Sequence, residues 1–150
     1  MNILSAPCSM FISKVDNHSI VKKKILDELS SKTVYGVYDK LLEIYNTDFM
    51  ISDRYRAPYM DIVSQAVQQH LANVSTALDS GLVINVCRMW YQQYKQGDFH
   101  SWHNHPNSMF SNVYYVQLDG QSPSTTFKHM GKEFEVPVEE GMVLTFPSYM

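Results

Sequence analysis

His103 and His105 flank Asn104 in the run Gly97-Asp98-Phe99-His100-Ser101-Trp102-His103-Asn104-His105-Pro106. On a β-strand, side chains two apart share a face and sit roughly 7 Å apart along it. Two imidazoles so placed can take one metal ion without help from a helix or a distant loop. Imidazole suits zinc, copper, iron and nickel, so the pair alone does not name the metal. Three of the six histidines of the chain fall within these positions. His100 has the opposite parity in a regular strand and reads as a residue beside the metal or at the rim, with Trp102 as its aromatic companion. Gly97-Asp98 reads as a turn, and Pro106 ends local strand pairing. A polar yet aromatic run of this kind suits the mouth of a β-barrel.

The next segment, Met109 to Leu118, reads as a long strand with two faces. Ser111, Val113, Tyr115 and Gln117 form the more polar face, expected to wall a pocket. Phe110, Asn112, Tyr114, Val116 and Leu118 form the other, expected, apart from Asn112, as core against helices. Ser111 and Tyr115 can hydrogen-bond a carboxylate ligand; equally, the tyrosine can pack with its hydroxyl at the surface. Arg88 either meets an anionic ligand or makes a salt bridge at the rim. His70 lies on the edge of an apolar helical stripe and reads as a hydrogen-bonded core residue.

The elements that must position these residues change character at mid-chain. Asn17 to Ser30 carries Val21, Ile25 and Leu29 at helical spacing, with Asp16 or Asn17 as cap. Val34, Val37, Tyr38, Leu41, Leu42 and Tyr45 fit a second helical stripe, interrupted at Gly36. Pro58 and Gly81 bracket a third helix, whose stripe runs Tyr59, Ile62, Val63, Ala66, Val67, Leu71, Val74, Leu78. From Leu82 the period becomes two and predicts a long strand through Tyr91. Strands are also expected at Ser124 to Met130 and Met142 to Phe146, with turns at Asp119-Gly120 and Gly131-Lys132. Asn2 to Ser13 reads as an extended lead-in. Helices first and antiparallel strands second give an α+β fold with the helices packed on one face of the sheet. We read one domain over 1–150, with 1–80 a helical support and 81–150 the β part.

Composition narrows the function classes. The chain has 150 residues, 45% hydrophobic and 18% charged, as expected of a globular protein. A net charge of −3 gives no electrostatic footprint for nucleic acid. Lys22-Lys23-Lys24, the one basic run, reads as a solvated helix face. Cys8 and Cys87 are read as free thiols. No stretch approaches the ~20 apolar residues of a membrane span, and no secretory signal is visible. The expected location is the cytoplasm.

The ordered combination of three segments resembles a known family. These are the Gly97–Pro106 run, then Ser111-Asn112-Val113-Tyr114-Tyr115-Val116, then Glu140-Gly141-Met142-Val143-Leu144-Thr145-Phe146-Pro147-Ser148-Tyr149-Met150. Together they look like the 2-oxoglutarate/Fe(II)-dependent oxygenases of bacteria and marine tailed phages. The resemblance covers roughly 82–150. It implies a double-stranded β-helix (jelly-roll, cupin-like) barrel and an enzyme that uses Fe(II), 2-oxoglutarate and O₂ to hydroxylate a C–H bond. His103 and His105 would be metal ligands; better-known members carry His-x-Asp there. Ser111, Tyr115 and Arg88 would contact the cosubstrate, with His100 and Trp102 around the metal. The location becomes the host-cell cytoplasm if the gene is phage-borne. In this family and in cupins, a further metal histidine comes five residues after the Pro147 position, two beyond Met150. The resemblance therefore implies a barrel lacking its last strand or strands. A barrel so shortened exposes strand edges and is expected to dimerise through them. A cupin-like metal protein that uses no 2-oxoglutarate, or a non-enzymatic jelly-roll module of a phage particle, are the alternatives. The primary substrate is not legible.

Overall fold

In the computed structural model the described residues are 8–31, 37–39, 44–50, 56–78, 83–120 and 125–150. They form an α+β arrangement of two helices and three antiparallel sheets, with no closed barrel among the described residues. The chain divides into two compact units. One joins the N-terminal residues up to Val15 with Asn104–Met150; the other is Asp16–His103.

In the first unit, strand β8 (Met142–Pro147) lies between β1 (Phe11–Lys14) and β5 (Phe110–Tyr114). Val143, Leu144, Thr145 and Phe146 are all buried, as a central strand with no polar-out alternation should be. Pro147 closes the strand, where its missing N–H costs least. Gly141 enters the strand at φ +90°, and its N–H donates to the Tyr115 carbonyl at 2.8 Å. The β5–β8 register sets Ser111 opposite Phe146 and Val113 opposite Leu144. Tyr115, Phe127, Leu144 and Phe146 form the core cluster, with Val113 packed against it. The face read from sequence as a polar pocket wall therefore supplies core, because its partners across the ladder are apolar. Asn112, the one residue excepted from the expected core face, is exposed.

Strands β6 (Thr125–His129) and β7 (Lys132–Val136) form a separate hairpin. Its two-residue turn has φ +51° at Met130 and +76° at Gly131, the pattern of a type I′ turn. The turn expected at Gly131-Lys132 thus falls one residue earlier, at Met130-Gly131, and β7, which begins at Lys132, was not expected. Phe127 meets Phe146 edge-on at 4.8 Å between ring centres and Phe134 at 5.8 Å. The other expected turn, Asp119-Gly120, stands at the edge of the described residues; positions 121–124, Ser124 included, lie outside them.

In the second unit, α1 (His18–Ser31) packs on α2 (Pro58–Ala77). Both helices match the periodicity of their apolar stripes. Met60, Val67 and Val74 recur one heptad apart on the buried side of α2, with Tyr59 and His70 beside them. Gly81, the expected stop, lies outside the described residues. No helix among the described residues is long and apolar enough to cross a membrane.

The expected second helix is not formed where the chain is described. Val37–Asp39 is β2 and Ile44–Thr47 is β3, paired antiparallel with an irregular register. Val34, Gly36, Leu41 and Leu42 of that stripe lie outside the described residues. Val, Tyr, Ile and Thr lose side-chain freedom in a helix and pack well on a pleated surface, so pairing overrode a weak helical period. The expected long strand from Leu82 (itself outside the described residues) to Tyr91 also fails. Its described part, Val83–Tyr91, makes no ladder, and only β4 (Gln92–Gln93) pairs, with β3. Val83 is 81% exposed, so the alternation there has no buried face to serve.

Candidate functional site

The histidine run begins at a tight turn. Gly97 has φ +91°, the Asp98 N–H donates to the Lys95 carbonyl at 3.0 Å, and the Lys95 N–H donates to Asp98 Oδ2 at 2.8 Å. From Asp98 to Met109 the chain is irregular, with a second turn at Pro106-Asn107. His103 and His105 are therefore not on a strand, and strand parity does not orient them.

His103, His100 and Trp102 belong to the unit that ends at His103. His103 Nδ1 lies 2.8 Å from the Ser101 carbonyl. A carbonyl only accepts, so Nδ1 carries a proton, which in the neutral imidazole leaves the lone pair on Nε2, the arrangement that second partners impose on metal-binding imidazoles. The His100 ring stacks on His103 with centres 3.8 Å apart and planes 24° from parallel. The Gln92 amide approaches His100 Nδ1 at 3.4 Å. Trp102 is exposed.

His105, Ser111 and Tyr115 belong to the other unit. His105 is half-buried, its N–H donates to the Ser148 carbonyl at 2.9 Å, and its ring faces Phe146 at 6.3 Å. Ser148 is buried, and its hydroxyl lies 2.8 Å from that of Ser108 and 2.9 Å from that of Ser111. Ser108 Oγ also donates to the His105 carbonyl at 3.4 Å. The end of β8 thus joins the His105 segment to β5. Sequence reasoning assigned Ser148 no role; its only signal was the Phe-Pro-Ser segment itself. Tyr115 turns its hydroxyl away from this group, to Thr125 Oγ1 at 2.7 Å, and burial raises its pKa above that of an ordinary tyrosine.

Arg88 is held by main chain and aromatic rings. Its guanidinium donates to the Phe49 carbonyl and lies over the Phe49 ring at 4.1 Å and the Trp90 ring at 5.5 Å. Next to it, Asp48 is buried and accepts the Tyr59 hydroxyl at 2.7 Å and the Tyr91 N–H at 2.9 Å. Burial raises the Asp48 pKa against the opposing pull of the Tyr59 and Tyr91 hydrogen bonds. Tyr91, beside it, is pushed up to about 12 by burial and the Asp48 charge. No spacing in the sequence marked Asp48, since its partners lie 11 and 43 positions away.

The imidazoles suit Fe(II) by donor type, and the His103 tautomer is correct for a ligand. Among the described residues no group of three or more His, Cys, Asp and Glu side chains is disposed to hold a metal ion. The structure thus presents donors and their supports rather than an assembled triad.

Residues 88–136 match a family model described as "Putative 2OG-Fe(II) oxygenase". The matched segment contains Arg88, His100, Trp102, His103, His105, Ser111 and Tyr115, and stops short of Ser148. No curated protein matches the chain. That segment is about a third of the chain, and over it the chain is similar to the 2OG-Fe(II) oxygenases.

Proposed function

We propose that this chain acts in an Fe(II)- and 2-oxoglutarate-dependent oxygenase, with His103 and His105 as metal ligands. The observation that carries this reading is the family match across the histidine run. Fe(II) with 2-oxoglutarate and O₂ would supply the oxidising power for C–H hydroxylation, releasing succinate and CO₂. The protein's part is to hold and orient. The Ser101 carbonyl keeps the His103 proton on Nδ1, so that Nε2 is the ligating atom. Ser148 and Ser108 hold the His105 main chain. Ser111, Tyr115 and Arg88 are the proposed contacts to the cosubstrate carboxylates. Each would exchange an existing partner for them: Ser148, Thr125 and the Phe49 carbonyl respectively.

Succinate formation from 2-oxoglutarate in the presence of Fe(II), with and without His103→Ala or His105→Ala, tests the proposal. Turnover by the wild type and its loss in both variants is expected. Folded wild-type protein that binds Fe(II) and forms no succinate would refute it and favour a metal protein that does not use 2-oxoglutarate.

We further propose a homodimer through strand edges. Among the described residues β1 and β5 each pair only with β8, and Ile12 on β1 is exposed. A monomer at every concentration in sedimentation would refute this.

A further inference from the structure

We infer that Ser148 is a positioning residue for the His105 imidazole, acting through a one-way chain of serine hydroxyls. The inference rests on the reading of His105 as a metal ligand. Each hydroxyl has a single proton to donate. Ser108 spends its proton on the His105 carbonyl, which can only accept. The 2.8 Å contact between Ser108 and Ser148 must then be donated by Ser148. Ser148 in turn accepts at 2.9 Å, so Ser111 is the donor there. Taken from the 3.4 Å contact of Ser108 with the His105 carbonyl, the chain runs one way: Ser111 to Ser148, Ser148 to Ser108, Ser108 to the carbonyl. Aligned hydroxyls polarise one another, so Ser111 strengthens the link from Ser148 to Ser108 until it turns to the cosubstrate, and that link itself needs only Ser148 and Ser108.

The same residue holds the other side of His105. The Ser148 carbonyl accepts the His105 N–H at 2.9 Å, and the Ser148 N–H donates to the Met109 carbonyl at 3.1 Å. Both polar groups of the His105 main chain are thereby tied to Ser148, one directly and one through Ser108. That fixes the backbone dihedrals from which the imidazole projects, in a segment that has no strand ladder. Ser148 is only 3% exposed, so water does not substitute for its hydroxyl at low cost.

Titration of the full chain with Co(II), an absorbing stand-in for Fe(II), tests the inference alongside amide exchange of the metal-free protein. Partners that orient metal ligands are worth about ten-fold or more in metal affinity. Ser148→Ala and Ser108→Ala should each raise the Kd for Co(II) about ten-fold, and the double variant should do little more, because both break one chain. Exchange at the His105 N–H should accelerate in Ser148→Ala while the Tyr115 N–H, bonded to the Met142 carbonyl at 2.9 Å, keeps its rate. Uniform acceleration of both amides, or unchanged Kd and unchanged His105 exchange in folded variants, would overturn the inference. Ser108 is half-buried, so Ser108→Ala decides the matter if Ser148→Ala does not fold. Wild-type Co(II) binding by His105→Ala would instead defeat the ligand reading, and the exchange rates would still judge the Ser148 clamp by themselves.

Discussion

Replacing Tyr59 by Phe removes one hydroxyl and leaves its ring in place, 3% exposed at the start of α2. That hydroxyl donates to Asp48 Oδ2 at 2.7 Å, on a carboxylate that is itself 3% exposed. A hydrogen bond to a buried charge contributes about 1.5–3 kcal/mol, against about 1 kcal/mol for a neutral pair. Tyr59→Phe should therefore cost about 1.5–3 kcal/mol where Asp48 is charged. The sign of the Asp48 shift sets the pH dependence. Burial lifts its folded pKa above the ordinary 3.8, so Asp48 favours folding at low pH, and that contribution is lost as pH rises through the folded value. The Tyr59 hydroxyl favours the charged form and offsets part of that loss. Its removal is then felt most above the folded pKa of Asp48. As pH falls through that value, the cost should shrink to about 1 kcal/mol. Urea unfolding of wild type, Tyr59→Phe, Asp48→Asn and the double variant, each near pH 7 and at acid pH, measures both the cost and its coupling to Asp48. A cost that ignores pH, or one that persists undiminished in the Asp48→Asn background, would refute the reasoning.

The packing makes three further outcomes testable. Phe127→Ala should destabilise by about 3–5 kcal/mol, since it empties the centre of the first unit's core; chemical unfolding reads this, and a loss no larger than that of a surface substitution would contradict the core assignment. Met130→Asn should raise the melting temperature, because Asn tolerates the left-handed φ of +51° that Met holds at a strain of about 1–2 kcal/mol; a lower melting temperature would count against the type I′ turn. Glu139→Gln, which breaks the exposed pair with Lys14, should change stability by less than about 1 kcal/mol, and a larger loss in thermal melts would show that the pair matters more than its exposure allows.

What the sequence determined is what neighbours in the chain can decide. Both helices were legible because a stripe such as Tyr59, Val67 and Val74 is written in local spacing. The Gly131 turn and β8 were legible for the same reason: a glycine suited to positive φ, and a continuous apolar run bounded by Gly141 and Pro147. The histidine run was legible as a motif, and the family match falls across it. Tertiary structure decided the rest. Val37–Asp39 and Ile44–Thr47 became strands by pairing with each other, which no helical count could register. The polar face of β5 became core because Phe146 and Leu144 stand opposite it from more than thirty positions away. Ser148 reaches His105 only because β8 ends beside that segment, and Asp48 meets Tyr91 only because the chain returns there. Spacing along a chain fixes which face a side chain shares; which residues that face then meets is set by distant segments, whose contacts leave no period in the sequence.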